Sequence, residues 1–322
     1  MADRIENKHI VCLGGGIGTS QLLRGLKHYH PRLSIITSMA DDGGSSGRLR
    51  KGYSIMPPGD IVNCIAALMP DQEKELESLL LYRFPGSDKT NKTIDGHKLG
   101  NLLMLAEIQR TKDFYKAIEV TKRMFGVTAN LFPATDQRVH LWAMTQDNRR
   151  VHSETTLDLA LYSEPHGLKK VYLSPSKPKV NQKVVDCLTS ADVIISGPGD
   201  LFTNQLPVLI VPQIKEAILK SSARKIFVLN IANKPFETKN FSLNDFVLAI
   251  SNHLGSFPFD TIVANNNFTT PIPRKYKYHY IQLDKDLNQS LKIKIIQADL
   301  VNDSFPLYHD PQKLAEVIKN AI

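Results

Sequence analysis

A short β-branched run, Lys8 to Leu13, ends in three consecutive glycines and opens directly into GIGTSQLLRGLKHY. Strand, glycine turn and helix are written there in one stretch. The helix carries Leu22, Leu23 and Leu26 on one face, and Pro31 marks its end. A second apolar run, Leu33 to Ser38, follows at once. Two strands joined by a crossover helix within about thirty residues fit a βαβ unit, and such units build parallel sheets.

The rest of the chain extends this beginning. From Ile61 to about Met124 apolar residues recur at three- and four-residue spacing, which reads as helices. In HKLGNLLMLAEIQ this places His97 and Asn101 on one helical face. Short β-like pieces dominate from Val127 to about Leu173: TANLFP, RVHLWAMT and LKKVYL. Alternation of strand and helix then returns with DVIISGPGDL, LIVPQIKEAILKSS as one helix, KIFVLNIA, LNDFVLAISNHL and FDTIVANN, and DPQKLAEVIKNAI closes the chain. The expectation is one α/β domain over residues 1–322 with a mostly helical insertion at about 61–125.

Composition agrees with a folded chain. Of 322 residues 42% are apolar and 22% charged, and 18 Gly and 18 Pro fall without period. Disorder and collagen-like structure are excluded. No apolar run reaches the roughly 18–20 residues of a membrane helix, and the N-terminus has no signal-peptide pattern. Cys12, Cys64 and Cys187 are too few and too scattered for a disulfide framework or a zinc site, so the expectation is a reduced, cytoplasmic protein with no membrane partner. The net charge of +8 (40 Lys+Arg less 32 Asp+Glu) is modest. Lys169–Lys170 and the group Arg274, Lys275 and Lys277 come without a nucleic-acid motif, which argues for a solvated surface and against nucleic-acid binding.

Chemistry concentrates in polar loops. In the first, Gly14, Gly15, Gly16, Gly18 and Thr19 let backbone amides and a helix N-terminus approach an anion; no Walker lysine follows. The second, Ala40 to Arg50 (ADDGGSSGRLR), lies where the second strand ends, the side on which open α/β sheets bind ligands. Its Asp41 and Asp42 suit a hard cation such as Mg²⁺. Gly43, Gly44, Ser45 and Ser46 offer backbone and hydroxyl contacts, and Arg48 a bidentate contact to phosphate. The third, PPGDIVN, has Gly59, Asn63 and Asp60, the last at an expected helix N-cap and also suited to a cation. The fourth supplies His97 and Asn101. The fifth, SGPGDLFTN, gives Gly197, Pro198, Gly199 and Thr203 as an anion nest at a strand end, and Asn230 ends the strand KIFVLN. His152 with Glu154, and His309 with Asp310, read as surface pairs, and no hydrolase elbow is present.

The ordered set GGGIGTS, ADDGGSSGRLR, PPGDIVNC, YRF…GHKLGNL and SGPGDLFTN resembles the CofD-like proteins, most nearly their branch of bacterial gluconeogenesis factors, which bind UDP-sugars. The likeness runs from Val11 to Asn230 and continues more faintly to the C-terminus. It implies a Rossmann-like three-layer α/β/α sandwich with a mostly parallel sheet and a nucleotide-sugar, UDP-N-acetylglucosamine for example, in the cleft. It also implies a regulator of carbon use, cell-wall precursor supply and cell shape, and is compatible with a homodimer. The enzymes of the wider family are Mg²⁺-dependent 2-phospho-L-lactate transferases acting on a deazaflavin alcohol; there the positions of Asp42 and Asp60 look like metal ligands.

This chain departs from the gluconeogenesis-factor pattern at four places. Gly199-Asp200-Leu201-Phe202 stands for Gly-Ser-Leu-Tyr, and Pro235-Phe236-Glu237-Thr238 for Pro-Gly-Glu-Thr. Asp245-Phe246 stands for Asp-His, and Tyr308-His309-Asp310 for Arg-His-Asp. A carboxylate at position 200 repels phosphate unless a cation compensates. Two readings follow: a nucleotide-sugar-binding regulator, or a transferase, which would need an aromatic wall for its acceptor that the sequence does not display. A nicotinamide-dependent dehydrogenase would rest on GGGIG alone, without the acidic residue in its usual setting.

Overall fold

Strand β1 (Ile10–Gly14) is buried along its whole length, because it lies inside a parallel sheet covered on both faces. The computed structural model describes residues 7–28, 32–86, 93–161, 167–283 and 293–322; Pro31, the expected helix end, lies outside them. Helix α1 (Gly16–Leu26) leaves the glycine turn and β2 (Leu33–Thr37) returns parallel to β1, pairing Ile10 with Leu33 through Gly14 with Thr37.

A run of helices comes next: α2 (Gly44–Tyr53), α3 (Gly59–Leu68), α4 (Lys74–Leu81), α5 (Leu99–Thr111) and α6 (Phe114–Met124). The loop expected over residues 40–50 is therefore shorter than the sequence suggested. Gly44, Ser45, Ser46 and Arg48 sit on α2, with Leu49 buried beneath them. His97 precedes α5 rather than lying on it.

The β-rich stretch divides. Strand β3 (Asn130–Pro133) joins the main sheet beside β2, while β4 (His140–Thr145), β5 (Arg150–His152) and β6 (Leu168–Ser174) form a separate antiparallel sheet in the order β5-β4-β6. Helix α7 (Glu154–Asp158) follows β5. Then come α8 (Gln182–Thr189), β7 (Val193–Ser196), a π-helical turn at Leu201–Gln205, α9 (Leu206–Leu209) and α10 (Pro212–Lys220). The helix expected over LIVPQIKEAILKSS is α10, which starts at Pro212, where the missing N–H is tolerated in a first turn, and the short α9 ends just before it.

Strand β8 (Arg224–Val228), β9 (Ala232–Asn233), α11 (Leu243–Leu254), β10 (Thr261–Asn265), β11 (His279–Tyr280), β12 (Lys294–Ala298) and α12 (Pro311–Ala321) complete the chain. The main sheet has seven parallel strands in the order β12-β10-β8-β7-β1-β2-β3. Helix α1 packs on α3 and α12, and α10 on α8 and α9, giving a layer of helices to each side. The fold is α/β, as expected. Cys12, Cys64 and Cys187 are free and buried. Among the described residues no helix is long and apolar enough to cross a membrane.

Candidate functional site

Strands β1 and β7 are neighbours at the middle of the sheet, and from them the strand order runs outward in opposite directions. A crevice opens beyond the carboxyl ends of strands at such a switch point. Both strands end there in glycine turns. Gly15, Gly16 and Gly18 from one, and Pro198 and Gly199 from the other, line a cleft of about 330 Å³.

The two turns interlock. A Cβ on Gly18 would lie 2.6 Å from the Pro198 carbonyl oxygen, so only hydrogen lets α1 approach the second turn. The expected N-cap at Asp60 is Pro58 instead, and the Asp60 carboxylate serves a different helix. Its Oδ1 accepts the Gly16 N–H at 2.9 Å. Its Oδ2 lies where a Cβ on Gly15 would stand, 2.1 Å away. On the other turn the Gly199 N–H donates to Asn230 Oδ1 at 3.1 Å. Two of the amides expected to meet an anion thus already hold side-chain oxygens.

The acidic loop splits its pair of aspartates. Asp42 accepts from Ser153 Oγ, Glu154 N, Thr155 N and Thr155 Oγ1 at 2.9–3.2 Å and so caps α7. With its oxygens engaged by these four donors, Asp42, expected as a metal ligand, is not among the residues lining the cleft. Asp41 lines the cleft in its place, together with Asp60. The buried Arg50 donates to the carbonyls of Met39, Ala40 and Asp41 and to that of Val139, pinning the strand end. Arg48, expected to meet phosphate, instead donates to the Asp95 carbonyl at 2.6 Å.

A polar layer lies behind the loop. Ser45 Oγ accepts from Asn101 Nδ2 at 3.0 Å and Lys98 N at 3.2 Å, and shares a hydrogen bond with His97 Nδ1 at 3.0 Å. Ser46 hydrogen-bonds Asp41. Asn63 accepts from Lys98 Nζ at 2.5 Å. His97, Asn101, Ser45, Ser46 and Asn63 therefore brace the site from outside it. Gly14, Thr19, Gly43, Gly44, Gly59 and Gly197 shape the turns without lining the cleft, whereas Thr203 and Asn230 do line it.

Five carboxylates face the cavity, Asp41, Asp60, Glu154, Asp158 and Asp200, and among the described residues no Lys or Arg lines it. Burial, reinforced by Asp41, pushes the Asp60 carboxyl up to about 7. Burial, then Asp41 and Asp158, pushes Glu154 up to about 9. Burial also raises Asp41, against the Gly43 amide and Ser46 hydroxyl that favour its charge. Lys98 stands nearby with its own pKa lowered, by burial first and then by Arg83. Hard oxygen donors crowded in a desolvated group suit a divalent cation. Mg²⁺ takes one or two protein carboxylates and completes its shell with phosphate and water, and the Asp41–Asp60 pair fits that habit.

At the other end Asp200 is compensated from within. Lys234 Nζ lies 2.8 Å from Asp200 Oδ2 and also bonds Asp158. An apolar wall of Ile17, Ile231, Tyr278, Leu307 and Tyr308 stands in the same cavity. Ile17, on the first turn of α1, is 52% exposed.

Sequence reading missed several of these groups. Glu154 and His309, taken for surface, both line the cleft. His309 is 3% exposed, and its Nε2 meets the Leu229 carbonyl at 3.1 Å. Burial drives its pKa down to about 4, so it is neutral. The aromatic wall not visible in the sequence is assembled by Tyr278 and Tyr308 from separate loops. The departures at positions 200 and 308 from the family pattern were the available signal.

Comparison with known proteins bears on the same surfaces. The family model described as 2-phospho-L-lactate transferase CofD matches residues 10–301. The gluconeogenesis factor of Bacillus subtilis is 36% identical over 97% of this chain and 98% of its own length. That of Halalkalibacterium halodurans is 34% identical over 98% and 96%. A crystal structure of a UPF0052 family member from Bacillus halodurans superposes with a TM-score of 0.87 at 34% identity, covering 98% of this chain and 99% of that one.

Proposed function

The chain belongs to the CofD family, in the branch of the gluconeogenesis factors, and on that footing we propose that its cleft binds a nucleotide-sugar, of the UDP-N-acetylglucosamine type, together with Mg²⁺. In this reading it is a cytoplasmic regulator of carbon metabolism, cell-wall precursor supply and cell shape rather than a catalyst. One observation carries the proposal. Two glycine turns meet at a sheet switch point beside five carboxylates, with no Lys or Arg among the described residues of the lining. Wherever those carboxylates are ionised and unpaired, a diphosphate is repelled unless a divalent cation accompanies it. Asp41 and Asp60 would hold the cation, whose charge would neutralise the diphosphate. The N-terminus of α1 would favour the same anion. The wall of Ile17, Leu307 and Tyr308 would cover a base or sugar face.

Native mass spectrometry of the protein purified from cells tests this. The expected result is a retained mass of a nucleoside-diphosphate sugar, lost on treatment with a chelator. A bare chain that also fails to take up any UDP-sugar in Mg²⁺ would remove the reading.

A second reading, phospholactyl transfer, draws on the family model and on the apolar wall, which offers a flat acceptor a surface. Incubation with a lactyl-diphosphoguanosine donor, a deazaflavin alcohol and Mg²⁺ separates the two. Product formation that Asp60→Asn abolishes favours the transferase, and binding without turnover favours the regulator.

A further inference from the structure

Asp158, Asp200 and Glu237 each place one carboxylate oxygen within 4.8 Å of the other two. They come from three separate elements: α7, the turn after β7 and the segment after β9. Three converging carboxylate oxygens are a donor set that a hard divalent cation takes. The space between them is already filled by the Lys234 ammonium, which bonds Asp158 and lies 2.8 Å from Asp200 and 3.6 Å from Glu237. An ammonium has three N–H donors, and three carboxylates surround this one.

The arrangement is built rather than incidental. The Lys234 side chain is only 13% exposed and that of Glu237 only 1%. Glu237 Oε1 is fixed from behind by the amides of Phe202 at 2.5 Å and Thr203 at 3.1 Å. Burial opposes charge on Lys234, but Glu237, Asp200 and Asp158 together outweigh it and hold the ammonium charged. Asp158 and Asp200 line the same cavity as Asp41 and Asp60, where no Lys or Arg is among the described lining residues. One end of the cleft therefore has a cation bonded directly to its carboxylates, whereas at the Asp41–Asp60 end Lys98 acts only from nearby, its Nζ bonded to Asn63.

We propose that Lys234 is a tethered counter-ion standing in the position of a second divalent cation, so that this cleft takes its nucleotide with one divalent cation and not two. The statement about the nucleotide rests on the function proposed above; the statement about Lys234 and its three carboxylates does not.

Counting bound Mn²⁺ by electron paramagnetic resonance on the intact protein is the test. The wild-type chain is expected to bind at most one Mn²⁺. Lys234→Met is expected to bind one more, and Lys234→Met/Asp200→Asn to lose that addition. Two ions on the wild type, or no gain in folded Lys234→Met, overturns the proposal. Should Lys234→Met fail to fold, the wild type still decides through the Mg²⁺ dependence of UDP binding. A logarithmic slope near one is expected, and a slope near two overturns the claim. Wild-type protein that binds no nucleotide, with Lys234→Met still gaining an Mn²⁺, removes the nucleotide reading and leaves the counter-ion in place.

Discussion

The carboxylate of Asp60 closes the N-terminus of a helix other than its own, accepting the Gly16 amide at 2.9 Å. Its second oxygen occupies the space that any side chain at position 15 would need. The first glycine turn and the third loop are therefore one unit, and the cleft floor depends on both.

Gly15→Ala should accordingly destabilise the fold by about 1–3 kcal/mol, the usual range for forcing extra atoms into a filled space. Gly52→Ala is the matched control: it lies within α2 and its added methyl meets nothing within 4 Å. That change should stabilise by about 0.4–1 kcal/mol through the unfolded chain. Urea denaturation of the two variants checks both signs.

Ser45→Ala removes the acceptor that Lys98 N and Asn101 Nδ2 share behind the acidic loop. A loss of about 1–3 kcal/mol is expected from leaving buried donors unsatisfied. Since Ser45 does not line the cleft, weaker ligand binding in the folded variant would come through the displaced layer of His97, Lys98 and Asn101 and not through a lost ligand contact. Denaturation and ligand titration of the same sample measure the two effects.

Arg50→Ala deprives the carbonyls of Met39, Ala40, Asp41 and Val139 of their shared donor. Hydrogen bonds to a charged group contribute about 1.5–3 kcal/mol, and a loss of that order is expected. Arg50→Lys should recover little of it, because a single ammonium cannot span carbonyls on two sides. Thermal melts of the three proteins distinguish the cases.

The pH dependence has a definite sign. The carboxyls of Asp60 and Glu154 rise from ordinary values of 3.8 and 4.5 to about 7 and about 9, burial being the first cause in each. The native state then holds protons that the unfolded chain has released. Their contribution is complete below the unfolded values and is lost as pH rises through about 7 for Asp60 and about 9 for Glu154. Above about pH 6.5, where the buried His309 no longer opposes the trend, the ligand-free protein should melt at progressively lower temperature as pH is raised to about 9. Asp60→Asn and Glu154→Gln should flatten the trend, and Mg²⁺ should oppose it. A melting temperature that climbs with pH contradicts the assignment.

Local signals carried much of the architecture. The glycine turn after Leu13, the all-apolar strands and the helical periodicities of residues 61–124 each depend on neighbours in sequence, and each is recovered in the structure. The division of the β-rich stretch was not legible, because TANLFP and RVHLWAMT look alike until one pairs with β2 and the other with β6. In the site, the glycines and Asp60 could be named from their loops. The exchange of Asp42 for Asp41 could not, since adjacent aspartates differ only in which way the chain turns them. Nor could Lys234, whose partners Asp158 and Asp200 lie far from it in the sequence and meet it only when α7 and the turn after β7 come together.

Isothermal titration of the wild-type protein with UDP-N-acetylglucosamine, in Mg²⁺ and again in chelator, tests the central claim most directly. Saturable binding in Mg²⁺ that disappears in chelator and in Asp60→Asn is predicted, with about 2.7 kcal/mol of added fold stability at 100 times the dissociation constant. Heats that stay flat across UDP-sugars in Mg²⁺, or binding of equal strength in chelator, would contradict it.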